Sequence, residues 1–243
     1  MIKTAEDIKK LGKIMGVWAH PDDEAWSSAG IMATARANEQ NVMVLSATRG
    51  DAGQTADETT WSQKKLRSIR ETEFKQALEA VDVEHGIILH YDDGKLAEAD
   101  EKLAIDEIGQ HISLYQPDTI LTFEEHGITG HSDHRTISDW ARKAVKQSNT
   151  PIAVYGCVET EEMYHRFGKK ADELFNIYFA IDEPVLYKQS DVDICFSLPK
   201  VAQDKKRSAL LAHASQTSGL LKHPHGKELL EAVLQKECFI KLN

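Results

Sequence analysis

The sequence predicts an α/β protein with a mostly parallel sheet covered by helices on both faces. Two observations predict this. Short β-like runs alternate with helix-length amphipathic segments through the first half of the chain, the pattern of a sheet built from βα steps. Each visible strand also opens at its carboxyl end into a charged or glycine-rich loop, where ligand sites of such sheets lie. Together they describe a Rossmann-like arrangement with its site at the carboxyl ends of the strands.

The elements follow in order. Residues 14–19 read as a first strand, and residues 27–38 as a helix after a His-Pro-Asp-Asp turn. Residues 41–48, carrying Val42, Val44 and Leu45, read as a second strand, followed by a polar loop over 49–62. Leu66, Ile69, Phe74, Ala77, Leu78 and Val81 mark one face of a helix over 63–81, and 86–90 is a short strand. A helix over 100–115 stops before Pro117, a strand covers 118–123, and Ser132 or Asp133 is placed to cap a helix reaching Lys146. Beyond Pro151 the pattern is less regular: 152–157 and 176–182 resemble strands, while 200–215 and 227–236 resemble helices. No Pro/Gly/Ser linker, repeat or low-complexity tract divides the 243 residues, so one domain over 1–243 is expected.

Charge narrows the function. Lys plus Arg number 29 against 39 for Asp plus Glu, and a net charge of -10 repels a phosphate backbone, so no nucleic-acid partner is expected. The densest basic run, Lys205-Lys206-Arg207, reads as a solvated helix face. With no signal-like apolar stretch in residues 1–10 and no long apolar run elsewhere, the expectation is a cytoplasmic protein without a membrane partner. Cys157, Cys195 and Cys238 are widely spaced with no CxxC pair, and read as reduced, mostly buried thiols. A metal here must then be held by nitrogen and oxygen.

Two clusters carry the chemistry. Ala19-His20-Pro21-Asp22-Asp23-Glu24 packs an imidazole and three contiguous acids into one turn after the first strand, and such acids repel one another unless a cation neutralises them. His131-Ser132-Asp133-His134 follows a later strand, with two histidines three residues apart on one helical face. Mixed His and Asp donors suit zinc or iron(II) rather than magnesium or calcium. A nucleotide-binding module that holds magnesium would instead place a glycine-rich phosphate loop after the first strand, where this chain has His20-Pro21-Asp22-Asp23.

With these motifs the sequence resembles the LmbE-like, or N-acetylglucosaminyl-phosphatidylinositol de-N-acetylase (PIG-L), superfamily of metal-dependent deacetylases. Further matches are Thr48-Arg49-Gly50-Asp51-Ala52-Gly53, the R-x-x-E-x-x-x-A pattern of Arg70 to Ala77, Tyr91-Asp92-Asp93-Gly94 and His213-Ala214-Ser215-Gln216. Ser132 stands where the second motif often carries proline. The resemblance implies that His20, Asp23 and His134 bind the metal, Zn2+ or alternatively Fe2+, and that Asp22 is the general base. It implies that His131 polarises the carbonyl and that Asp133 orients an imidazole. Arg49, Asp51, Arg70 and Asp93 would contact sugar hydroxyls, although Arg70 can equally pair with Glu71 or Glu73, and Asp93 can be a plain turn residue. His213, with Gln216, would close the far wall of the pocket from outside the metal shell, or cap a helix. The implied reaction is removal of an N-acetyl group from an N-acetylglucosamine-type substrate or glucosaminyl conjugate. The alternative is a metal amidase on another acyl amine or sugar-thiol conjugate. By family analogy a homo-oligomer is expected, and the loops over 49–62 and 163–172 would set substrate choice.

Overall fold

The computed structural model describes residues 1–53, 61–148 and 150–243. The strands are β1 (Ile14–Trp18), β2 (Val42–Thr48), β3 (His85–Tyr91), β4 (Thr119–Phe123), β5 (Ala153–Cys157), β6 (Glu159–Thr160), β7 (Leu186–Tyr187), β8 (Ile194–Ser197) and β9 (Lys236–Lys241). Seven of them form one sheet in the order β3-β2-β1-β4-β5-β9-β8, while β6 and β7 make a separate two-stranded pair. β1 to β5 run parallel, and β9 lies antiparallel between β5 and β8. Every residue of β1, β2 and β4 is buried, as expected of central strands covered on both faces.

The connections place the helices. From β1 the chain steps outward to β2 and β3, then returns to β4 on the other side of β1. Right-handed crossovers therefore put the Ala29–Ala37 and Gln63–Ala80 helices on one face and the Glu101–Tyr115 and Ser132–Gln147 helices on the other. The Lys200–Ala212 helix packs with the first group. The same reversal makes the gap between β1 and β4 a topological switch point, where the two loops that leave these strands diverge and open a crevice. Both His-bearing motifs leave the sheet there.

Several elements differ from the sequence reading. The helix read over 27–38 instead begins at Asp23 and breaks at Ser28, so Asp23 and Glu24 lie in its first turn and Asp22 stands just before it. Residues 176–182 are not a strand: Asn176, with φ 50, ends the Lys169–Phe175 helix, and the Tyr178 amide turns back to the Asp172 carboxylate at 2.9 Å. The supposed loop over 163–172 is helical, because Thr160 caps the turn at Met163 and the segment is rich in good helix formers. The polar loop over 49–62 falls partly outside the described residues. Strands β8 and β9 were hidden in the irregular C-terminal third.

Their antiparallel register corrects the cysteine reading. Cys195 and Cys238 are 43 residues apart in sequence but directly opposed across β8 and β9, and they are joined as a disulfide. Cys157 is free and buried, as expected. Lys206 also departs from its reading as a solvated residue. It is 1% exposed, and its Nζ donates to Glu237 Oε1 at 2.8 Å and to the Trp26 carbonyl at 2.7 Å. Glu237 in turn accepts the Gly30 and Ile31 amides at the start of the Ala29–Ala37 helix. Among the described residues no helix is long and apolar enough to cross a membrane.

Candidate active site

The first motif is built as a strained turn held from several sides. The Ala19 carbonyl accepts the Thr48 amide at 2.9 Å and its hydroxyl at 3.0 Å, which ties the turn to the end of β2. Asp22 then adopts φ 130 and ψ -25, a conformation that costs a non-glycine residue about 1–3 kcal/mol and persists only where its surroundings enforce it. Arg70, 3% exposed on the Gln63–Ala80 helix, supplies part of that enforcement. Its Nη2 donates to the Pro21 carbonyl at 2.5 Å and to Asp22 Oδ1 at 2.9 Å, and its Nη1 to the Gly50 carbonyl at 2.8 Å. A Cβ on Gly50, whose φ is +66, would lie 2.4 Å from the guanidinium carbon, so that position requires glycine.

The second motif is shaped by Glu124, a buried residue just past β4. Its carboxylate accepts the His126 amide at 2.7 Å and the Ile128 amide at 2.8 Å, folding the loop through Gly127 and Ile128, both at positive φ. The Ser132–Gln147 helix is capped by His131 rather than by Ser132 or Asp133: its Nδ1 accepts the Asp133 amide at 3.1 Å. Because Nδ1 is an acceptor, the neutral ring carries its proton on Nε2. Burial pushes the His131 pKa down, and the neighbouring His20 adds to this.

The two motifs converge. One ligand atom each from His20, Asp23 and His134 lies within 4.8 Å of the others, and all three side chains are buried. Asp23 sits between the rings, with Oδ2 3.5 Å from His20 Nδ1 and Oδ1 3.5 Å from His134 Nε2. The His134 Nδ1 donates to the Gly127 carbonyl at 3.0 Å, which leaves the Nε2 lone pair directed at Asp23. On the other side of His20, Nε2 faces Asp93 Oδ1 at 3.1 Å and Asp133 Oδ2 at 3.4 Å. A carboxylate or a backbone carbonyl behind an imidazole is the usual support for a metal site, and His20 has the first and His134 the second. Two imidazole nitrogens and a carboxylate oxygen therefore fit zinc or iron(II).

A second group, His20, His131 and Asp133, is equally compact. It fits less well, because His131 Nδ1 caps a helix while the Asp133 oxygens already accept the Gly94 and Leu96 amides at 2.8 and 3.1 Å.

Electrostatics separate the adjacent aspartates. Burial raises the Asp22 carboxyl well above its ordinary value, with Arg70 opposing the rise. Against the same burial, His134 and His20 hold the Asp23 carboxyl well below the carboxylate range. Neighbouring groups driven apart in this way are suited to different chemical tasks. The His20 ring, despite burial, is raised by Asp133, Asp23 and Asp93, whereas burial lowers His134 to about 4.

The remaining residues read from the sequence distribute unevenly. Arg70 pairs with neither Glu71 nor Glu73. Glu71 instead pairs with Arg49 at 2.8 Å, and Glu73 accepts the Ser215 amide and hydroxyl at 2.7 and 2.6 Å. Asp51 is bound by Arg67 at 2.6 Å, and the second oxygen of Asp93 accepts the Ala52 amide at 2.7 Å. His213 is fully buried against Glu24 at 2.7 Å.

The sequence counted Glu24 among the acids of the first motif but gave no role to it, to Glu124 or to Phe179, although both glutamates closely follow a strand end. Phe179 is 60% exposed and stands edge-on to His131, with centroids 5.9 Å apart. A groove of about 640 Å³ lined by Arg36, Lys75, Asp82 and Glu84 lies at the amino end of β3 and includes none of the site residues.

Comparison with known proteins places the chain in one family. The family model described as PIG-L, GlcNAc-PI de-N-acetylase, matches residues 15–145. A probable N-acetyl-alpha-D-glucosaminyl L-malate deacetylase 2 of Bacillus subtilis is 26% identical over 211 residues, covering 86% of this chain and 85% of that protein. The N,N'-diacetylchitobiose deacetylase of Pyrococcus horikoshii superposes with a TM-score of 0.69 at 17% identity, over 97% of this chain and 85% of that one. The fold extends to another chemistry as well. The 4-carboxy-2-hydroxymuconate hydratase GalB of Pseudomonas putida superposes with a TM-score of 0.65 at 14% identity, over 100% and 97% of the two chains.

Proposed function

We propose, from the premise that this chain belongs to the GlcNAc-PI de-N-acetylase (PIG-L) family, that it hydrolyses the acetamide of an N-acetylglucosamine-type substrate or glucosaminyl conjugate. His20, Asp23 and His134 hold the cation, zinc in the first instance. The observation that carries this reading is the division of labour between two adjacent aspartates. Asp23 lies between two imidazoles with its pKa driven down, and Asp22 turns to Arg70 with its pKa driven up.

A cation bound there would polarise the amide carbonyl and acidify a water. The residues of the chain supply the rest. Asp22, its carboxyl raised toward neutrality, accepts the proton of the attacking water. Arg70 fixes the direction of that carboxylate through its 2.9 Å contact. His131 presents Nε2–H to the carbonyl oxygen as negative charge develops on it. The proton taken by Asp22 then passes to the departing amine, so the products are acetate and a free amine. Asp133 and Asp93 hold the His20 ring in place from behind. Phe179 offers an exposed aromatic ring beside His131, and Arg49 and Asp51 lie in the loop after β2.

The test is amine release by zinc-loaded and iron(II)-loaded protein across N-acetylglucosaminyl malate, N-acetylglucosaminyl inositol, diacetylchitobiose, a sugar-thiol conjugate and simple acetamides. Release from at least one acetylated glucosaminide is expected. Turnover restricted to a non-sugar acyl amine or to the thiol conjugate would move the assignment to a metal amidase of different specificity. No amine release from any of them, with hydration of an unsaturated acid instead, would move it to the chemistry that GalB performs on this fold.

A further inference from the structure

We propose that Glu24 and His213 form a positioning pair that holds the backbone of Asp22 in the conformation its carboxylate needs, an inference that rests on the reading of Asp22 as the base. Asp22 has φ 130, and its amide donates to Glu24 Oε2 at 3.0 Å. The other Glu24 oxygen accepts from His213 Nε2 at 2.7 Å, across 189 residues of sequence. Both side chains are sealed from solvent, at 1% and 0% exposure.

His213 is itself immobilised. It sits at the break between the Lys200–Ala212 and Ala214–Lys222 helices, and its carbonyl accepts the Gln216 and Thr217 amides, both at 2.9 Å. The break therefore fixes the backbone that carries the ring, the ring meets the glutamate, and the glutamate captures the Asp22 amide. Arg70 holds the same residue by its carboxylate, and the Asp22 carbonyl accepts the Ala25 and Trp26 amides at 2.9 and 3.0 Å.

This is more than burial of a convenient pair. The amide of a residue at φ 130 points where no regular turn supplies an acceptor, and Glu24 supplies one to this part-buried donor. A rotation of Asp22 toward ordinary φ values swings its carboxylate by about an ångström or more, and misplacement of that size costs about 10²-fold in rate. The His213 break lies beyond residues 15–145, so a residue outside the family-matched region positions the Asp22 backbone.

The experiment compares His213→Leu, which fills the space without a donor, with His213→Gln, which restores an N–H toward Glu24. Metal content, kcat, KM and the crystal structure of each variant are measured. His213→Leu is expected to lose about 10 to 100-fold in kcat with KM within about twofold, to keep its metal, and to show Asp22 relaxed from positive φ. His213→Gln is expected to recover most of the rate. Should His213→Leu fail to fold, Glu24→Gln is read in its place, with a kcat loss of about tenfold at full metal content. The pair is not a positioning device if kcat stays within about threefold, if Gln rescues nothing, or if Asp22 keeps its φ in the Leu variant. Wild-type protein inactive on every substrate would instead remove the function reading, and the Asp22 backbone in the two crystal structures would still decide the structural claim.

Discussion

Asp22→Asn separates the role of this residue from that of its neighbour. The asparagine carbonyl can keep the 2.9 Å contact with Arg70 Nη2, so the change replaces a charge-assisted hydrogen bond by a neutral one. That exchange costs about 1 kcal/mol, and because burial already opposes the Asp22 charge the net effect on stability is no larger, a shift of about 2–4 °C in Tm for a chain of this size. The rate should respond far more strongly. Losing a general base costs about 10² to 10⁴-fold, equivalent to about 2.7 to 5.4 kcal/mol of barrier, and the loss should fall on kcat with metal still bound. Asp23→Asn is predicted to behave differently, because both Asp23 oxygens are committed: Oδ2 accepts the His20 amide at 2.8 Å and Oδ1 faces His134 Nε2 at 3.5 Å. An amide has one oxygen, so either the backbone donor or the ligand position is lost, and metal affinity falls with partial recovery in added zinc. Elemental analysis and kcat at matched metal saturation measure both. Loss of metal from Asp22→Asn, or a kcat within a few-fold of the parent, would refute the assignment and pass the proton to another group, His131 first.

Two further outcomes follow from charged groups away from the centre. Lys206→Met strands the Glu237 carboxylate beneath the Ala29–Ala37 helix and should cost about 3–5 kcal/mol in urea unfolding; a cost under about 1 kcal/mol would mean that the pair is hydrated in solution. Glu159 is pushed up to about 7 by burial from an ordinary 4.5, so its stabilising protonation is complete below pH 4.5 and lost as pH rises toward 7. Glu159→Gln should therefore stabilise the protein by about 2 kcal/mol at pH 8 and leave it nearly unchanged at pH 4.5, and equal effects at both pH values would show that Glu159 is solvated.

The sequence by itself determined the framework of the site. The β1 and β4 runs, the helices that follow them and the two His-bearing turns are written in contiguous residues, because hydrophobic periodicity and turn chemistry act within a few positions. His20, Asp23 and His134 lie close together because two such turns leave neighbouring strands at the switch point, which the alternation of strands and helices already implies. Tertiary structure decided what those residues lean on. That Asp93 and Asp133 share one face of His20, that Arg70 turns to Asp22 rather than to Glu71 or Glu73, and that His213 reaches Glu24 across 189 residues depends on which elements pack together. The same holds for the errors. Lys206 looked solvated because its partner Glu237 is 31 residues away, and Cys195 looked unpaired because its antiparallel partner strand has no strong local signature. A side chain's charge and shape are local properties, but the group that satisfies a buried charge is chosen by proximity in space, and no periodicity in the chain encodes that choice.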